Sequence, residues 1–438
     1  MKPVSSLILY QLSPRSFTEE GTLSAAATRL GEVAALGVDV IYLSPVFCAD
    51  NDPDLTTWSP RQKASGTNNP KNPYKMADYF HVDEEYGTDE DLRSFVREAH
   101  RLGLQVLFDL VYLHCGRNAV FVREHPEYVI CDASGKPIVG EDWPFARLNF
   151  ESKGLRTYLL GNMETLLREF DADGFRCDVG SKVPLDFWRD SFAYLKAIKP
   201  DLITLNEGRT PEYVDGVFDM AYDTRWRRTV VDILANGGSA KNLREWHEEL
   251  AVSHGSNAKK LIRYLDNHDT ASDCGLDRNE IIMTSRGVEA GLVLCNTIEG
   301  IPFLWNGYEF CDDAENNMFS NRFYGKRSAI SRDNSSSAKG IRRMAVLKEL
   351  HRLRHGHEAL TDGLLIWLEN SAPDDVISYV RKTEKETVLV VVNCRKSTVS
   401  VQPSQRVAPT ELLLQADTEL CGDTICLHPY GYLVAKLS

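Results

Sequence analysis

The sequence predicts an α/β chain in which eight parallel strands alternate with helices and close into a barrel, followed by a small antiparallel sheet domain. Two patterns predict it. Through most of the chain, short apolar runs alternate with amphipathic segments, the mark of repeated βα units. After residue 353 the pattern changes to short strand-like runs with turn residues between them.

The expected barrel strands are residues 7–11, 39–43, 104–109, 174–177, 202–205, 216–220, 261–265 and 301–305. Each is short and apolar, as strands buried on both faces must be. Between and after them, helical periodicity marks 22–36, 89–102, 155–170, 185–198, 224–234, 242–252, 280–297 and 340–353. Gly37 and Gly103 follow two of these segments and read as helix-terminating caps. Three connections, 47–75, 110–147 and 306–337, are too long for simple links, and long loops in compact domains are usually functional. Within the last, the serine-rich stretch 334–338 reads as a flexible loop tip. The runs at 364–369, 376–381, 387–393, 399–403 and 432–437 make up the second sheet. The expected division is a barrel domain over 1–357, carrying an inserted subdomain at 115–147, and a sheet domain over 358–438.

The 438 residues carry a formal net charge of −13, which argues against a nucleic-acid partner. The ten cysteines are scattered and form no CxxC pair, a usage that suits a reducing compartment. No apolar run approaches the roughly 20 residues of a membrane span, and the apolar stretch at 7–10 is too short for a signal peptide. The chain therefore reads as cytoplasmic, with no membrane partner.

Four stretches place carboxylates at or just beyond strand ends: DLVYLH at 109–114, GFRCD at 174–178, TLNEG at 204–208 and YLDNHD at 264–269. In a parallel barrel those ends converge on one face. A retaining sugar hydrolase needs one carboxylate to attack, one carboxylic acid to protonate the leaving oxygen, and polar groups to hold the ring. Asp178, Glu207 and Asp269 fit these needs. Arg176, two residues before Asp178, leaves its strand on the same side and is expected to keep that carboxylate ionised.

Together with YQLSPRSF at 10–17, LGVDVIYLSPVF at 36–47, NPYKMADYFHVDEEYGT at 72–88 and GIPFLWNGYEF at 300–310, these stretches closely resemble the α-amylase family of glycoside hydrolases. The resemblance implies a (β/α)8 TIM barrel, a subdomain inserted after the third strand and a C-terminal β-sandwich. It implies Asp178 as nucleophile, Glu207 as acid/base and Asp269 as the third carboxylate, with Tyr74, His114, Arg176, His268 and Asp109 in the substrate-binding set. Within that set Asp109 is better placed to orient Arg176 than to touch sugar, and Tyr74 matches an aromatic that stacks on the ring. The expected substrate is a neutral α-glucan or α-glucoside. Burial and neighbouring charge are expected to raise the Glu207 pKa.

The departures from the family pattern are specific. Leu113 stands where an Asn carries calcium in many α-amylases, and Arg147 where an Asp is usual; neither offers a calcium ligand. No metal or other cofactor is therefore expected. Ser181 and Lys182 replace a Lys-His pair that helps bind the reducing side of the substrate. Lys75 stands where exo-acting α-glucosidases often carry an Asp, which disfavours a standard exo-glucosidase pocket, and Trp58 is placed either to stack on further sugar units or to cover the barrel. A transglycosylase sharing the covalent intermediate is the rival within the enzyme class. A silent sugar-binding barrel would be expected to have lost a carboxylate, and all three are present. Oligomeric state is not encoded in these motifs.

Overall fold

In the computed structural model, residues 2–140, 143–270, 278–325, 328–405 and 407–437 are described. Eight parallel strands form the core: β1 Leu9–Leu12, β2 Val40–Leu43, β3 Gln105–Leu110, β4 Gly174–Cys177, β5 Ile203–Asn206, β6 Met220–Ala221, β7 Ile262–Arg263 and β8 Ile301–Trp305. They are hydrogen-bonded in the order β6-β5-β4-β3-β2-β1-β8-β7, and a parallel bridge between Ala221 and Leu261 joins the two ends. The barrel is thus nearly closed. All but Gln105 of the strand residues are fully buried, which is why the strands read as continuous apolar runs.

Local chemistry sets the helix ends. Thr88 and Asp91 form a reciprocal capping box at the start of Asp89–Arg101, and Gly103, at φ +78°, takes the left-handed conformation just beyond its end. Three departures from the sequence expectation have local causes. The helix expected over 22–36 splits into Leu23–Ala27 and Leu30–Ala34; Thr28 Oγ1 donates back to Ala25 O at 2.7 Å at the break. The helix expected over 280–297 is interrupted at Thr284, which has φ +66°. The sixth strand starts only at Met220, because Gly216 turns the chain through a left-handed conformation at φ +79°. The serine-rich stretch at 334–338 is not a loop tip. Asp333–Ser336 form a 3-10 turn, and Ser337 Oγ caps the helix Ala338–Gly356 by accepting from Gly340 N.

Beyond that helix lie β9 Leu364–Trp367, β10 Val376–Lys382, β11 Thr387–Asn393, β12 Val399–Val401, β13 Pro409–Cys421 and β14 Thr424–Leu437, all antiparallel. β13 was not expected: most of its side chains are exposed or half-buried, and its apolar run, Leu412–Leu414, is short. β14 pairs with β11 through its C-terminal half and with β12 through its N-terminal half, so the long β13–β14 hairpin makes a two-layered unit. Alternation along the strands divides the labour. Ile377, Tyr379, Val388, Val390, Tyr432 and Val434 belong to the core shared with the barrel, whereas Val376, Leu389, Val391, Leu433 and Ala435 form a second, smaller core. Tyr379 and Tyr432 reach the barrel helix Thr284–Thr297 through hydrogen bonds to Thr297 at 2.7 Å and Glu289 at 2.9 Å.

Among the described residues no helix is long and apolar enough to cross a membrane. Nine cysteines there are free thiols; Cys274 lies outside the described residues.

A Cβ on Gly174 would stand 1.9 Å from Ile203 O across the β4–β5 pairing. Gly174→Ala is therefore expected to destabilise the protein by about 3 kcal/mol, read as a lower urea midpoint with unchanged slope. An unchanged midpoint contradicts this account of the strand spacing.

Candidate active site

Asp178 directly follows β4 and its amide donates to Leu110 O at 2.9 Å; Glu207 directly follows β5 and its amide donates to Cys177 O at 3.0 Å. Both carboxylates therefore extend the parallel pairing, and the sheet fixes where they stand. Asp269 lies in the turn after β7, where Asn267 Oδ1 accepts from the amides of Asp269 and Thr270 at 3.0 and 3.2 Å. The three carboxylates, with His114, His268 and Tyr74, line one cleft of about 500 Å³ at the C-terminal face of the barrel.

Two residues expected to bind substrate do not reach the cleft surface. The Arg176 and Asp109 side chains are both 0% exposed. The register pairs them on neighbouring strands, and Arg176 Nη1 donates to Asp109 Oδ1 at 2.7 Å. They form a layer beneath the cleft. From there Arg176 Nη1 also donates to Asp178 Oδ1 at 2.9 Å, and Nη2 lies 2.7 Å from Glu207 Oε2, off hydrogen-bond alignment. One guanidinium thus faces three carboxylates. It is caged by the rings of Tyr42, Tyr74 and Tyr222, each with its centroid within 6 Å.

This crowding changes the expected charge state. Burial pushes the Asp178 carboxyl well above the usual range; Arg176 opposes that, but Glu207 and Asp109 add to it. Arg176 does not by itself hold Asp178 ionised. Glu207 also accepts from the Val179 amide at 2.7 Å. To aim that amide, Val179 adopts φ +42°, a left-handed conformation that costs a β-branched residue roughly 1–3 kcal/mol.

Asp269 behaves differently. Burial at the cleft floor would raise it, but His268 and Arg61 hold it down, to about 2. Since burial also drives His268 toward its neutral form, Arg61 is the standing positive charge, with Nη1 donating to Asp269 Oδ1 at 2.7 Å. His268 Nδ1 is 2.8 Å from Gln11 Nε2, a donor, so the ring proton sits on Nε2, which faces Asp269 Oδ2 at 3.4 Å. His114 is buried against Phe145 and Trp143, and burial lowers its pKa to about 4, so it too is neutral. Tyr74 stacks on the His268 ring, with centroids 5.0 Å apart, and donates to Asp109 Oδ2 at 3.0 Å. Trp58 is buried, its Nε1 donating to Asp52 O.

Sequence reasoning missed Gln11, Arg61, Trp143 and Val179. Gln11 lies inside the YQLSPRSF stretch, and its strand-end position was the available signal. Trp143 lies in the inserted segment, which leaves and rejoins the barrel through the His114–Cys115 and Ala146–Arg147 pairing. Nothing in the local pattern marks Arg61.

The residues at the family's calcium position do not fit that ion. Leu113 is buried and its side chain has no ligand atom, and Arg147 brings a positive charge.

Asp269 supplies a pH test. Its folded pKa lies below the unfolded value of about 4, so its stabilising contribution is present above that value and is lost as pH falls through about 2. The stability advantage of wild type over Asp269→Asn, measured by urea unfolding, is expected to shrink across that window. A constant difference contradicts the Arg61–Asp269 pairing.

Comparison with known proteins extends the picture. A family profile described as the α-amylase catalytic domain matches residues 11–146, and one described as the maltogenic amylase C-terminal domain matches 367–434. The chain is 26% identical over 406 residues to α-amylase MalA of Haloarcula japonica, covering 88% of this chain and 55% of that protein. It is 25% identical over 406 residues to a cyclomaltodextrinase of a Bacillus species, covering 86% and 66%. The chain therefore spans between about half and two-thirds of the length of these curated relatives. The solved structure of an α-amylase from Lactobacillus plantarum superposes with a TM-score of 0.79 at 21% identity, covering 99% of both chains, which establishes the shared fold. The chain thus carries an α-amylase catalytic-domain pattern over 11–146 and a C-terminal domain of the maltogenic-amylase type over 367–434.

Proposed function

We propose that this protein is a retaining α-glycoside hydrolase that cleaves α-glucosidic bonds of maltodextrin-like oligosaccharides through a covalent glycosyl-enzyme intermediate. The observation that carries this reading is the convergence of Asp178, Glu207 and Asp269 on one cleft with His114 and His268. The relatives named above, an α-amylase and a cyclomaltodextrinase, support α-glucans as the substrate class. The aromatic lining from Tyr74, Trp143 and Phe145 suits a neutral sugar, whose C–H faces pack on rings.

In this mechanism Asp178 attacks the anomeric carbon while Glu207 gives a proton to the departing glycosidic oxygen. Water then attacks the ester, with Glu207 taking its proton, so the product keeps the α configuration. The attack needs charge on Asp178 and the proton on Glu207, whereas burial in the free cleft favours the proton on Asp178. Both carboxylates face Arg176. Asp269 stays anionic and accepts sugar hydroxyls, and its charge stabilises the oxocarbenium-like transition state. His268 donates through Nε2 and is held in that tautomer by Gln11. His114 lines the same cleft.

The test is product analysis on a series from maltose to maltoheptaose, with and without EDTA. Wild type is expected to release new sugars equally well in both conditions, with α-anomers appearing first by NMR. Asp178→Asn is expected to lose at least about 10³-fold in kcat. Turnover by Asp178→Asn at the wild-type rate, or first products in the β configuration, contradicts the mechanism.

A further inference from the structure

One wall of the cleft is built by a segment that the chemistry above does not use. Ser59, Pro60 and Arg61 begin the short helix Pro60–Ala64 in the loop after β2, and all three line the cleft. Arg61 donates to Asp269 Oδ1 at 2.7 Å and to the carbonyls of Asp269 and His268 at 3.0 and 3.3 Å. The guanidinium therefore reaches across the barrel mouth and grips the turn after β7.

This wall is held from behind. Ser59 Oγ caps the helix by accepting from Gln62 N at 3.1 Å. The fully buried Gln62 amide donates to Asn69 O and Pro70 O, and Asn69 donates to Phe319 O at 2.9 Å. Asn317, from the same loop after β8, donates to Ser65 O at 2.9 Å. Met318 and Phe319 of that loop also line the cleft, so the two loops make one continuous wall.

Position along the substrate follows from the chemistry. The leaving group departs on the side of Glu207, which stands at the end of β5 beside Val179 and Gly208. A ring whose anomeric carbon meets Asp178 and faces Glu207, with Asp269 accepting its hydroxyls, would point its far end toward Asp269 and Arg61. A chain continuing past that end must pull Arg61 off Asp269, breaking a charge-assisted hydrogen bond. Lys75 is not part of this wall: its Nζ turns to Asp50 and Asp52, 3.6 Å from each.

We propose that Arg61 is a specificity-determining residue that closes the cleft beside Asp269, so that the sugar attacked by Asp178 is the terminal, non-reducing unit of a short α-glucoside. This rests on the glycosidase reading and names its substrate as a chain end.

Wild type, Arg61→Ala and Arg61→Lys are to be given maltotriose and maltoheptaose labelled at the reducing end, with binding of both sugars followed by titration calorimetry. Wild type is expected to shorten each sugar by one unit. Arg61→Ala is expected to lose roughly tenfold or more in kcat/KM on maltotriose, to lose less on maltoheptaose, and to yield labelled fragments shortened by two or more units. Arg61→Lys is expected to recover part of the maltotriose rate. A wild type that cuts inside maltoheptaose overturns the proposal, as does Arg61→Ala with unchanged products and length preference. If wild type binds both sugars without cutting them, the glycosidase reading fails alone. The wall is then judged by whether Arg61→Ala raises affinity for maltoheptaose relative to maltotriose; no change overturns it, and binding of neither sugar overturns both.

Discussion

A single buried guanidinium holds the candidate site together. Arg176 touches Asp109 below the cleft and Asp178 and Glu207 at its floor. This needs β3, β4 and β5 in one register, with Asp109 opposite Arg176 and Arg176 opposite Leu205. A slip of one residue in any of these strands would turn the charged side chains to the other face. Removing the guanidinium would leave three carboxylates without their shared cation, a change that costs about 3–5 kcal/mol for one buried pair. The tyrosine cage around Arg176 keeps it dry and offers ring faces to its positive charge.

The same crowding accounts for how the carboxylates differ. Asp178 is buried and shares its cation with two other acids, so its proton is held tightly. Asp269 lies 2.7 Å from its own cation, Arg61, and stays charged. Glu207, with 26% of its side chain exposed, is more open than Asp178 at 8%, and is oriented by the strained Val179 amide. Three carboxylates of similar intrinsic acidity thus occupy three distinct environments, which a division into nucleophile, acid and stabiliser requires.

Much of this was legible in the sequence because parallel barrel strands carry a strong signal. β4 and β8 match their apolar runs over 174–177 and 301–305 residue for residue, and the polar residues that follow the strands announce themselves where each run stops. What was not legible depends on contacts between distant segments. Arg61 meets Asp269 across 208 residues of chain and sits on a helix of five residues with no pattern of its own. The depth of Arg176 and Asp109 was also hidden, since alternation tells which side a residue takes but not whether it reaches the surface. β13 escaped notice because it packs at the exposed side of the second domain and carries Glu, Gln and Asp where an apolar run was sought.

The most direct test of the Arg176-centred site is to trap the glycosyl-enzyme. Reaction with a 5-fluoro-α-glucosyl fluoride, followed by proteolysis and peptide mass spectrometry, reads which carboxylate forms the ester. The account predicts one glucosyl adduct, on Asp178. An adduct on Glu207 or Asp269, or turnover of the reagent to a β product with no adduct formed, would contradict it.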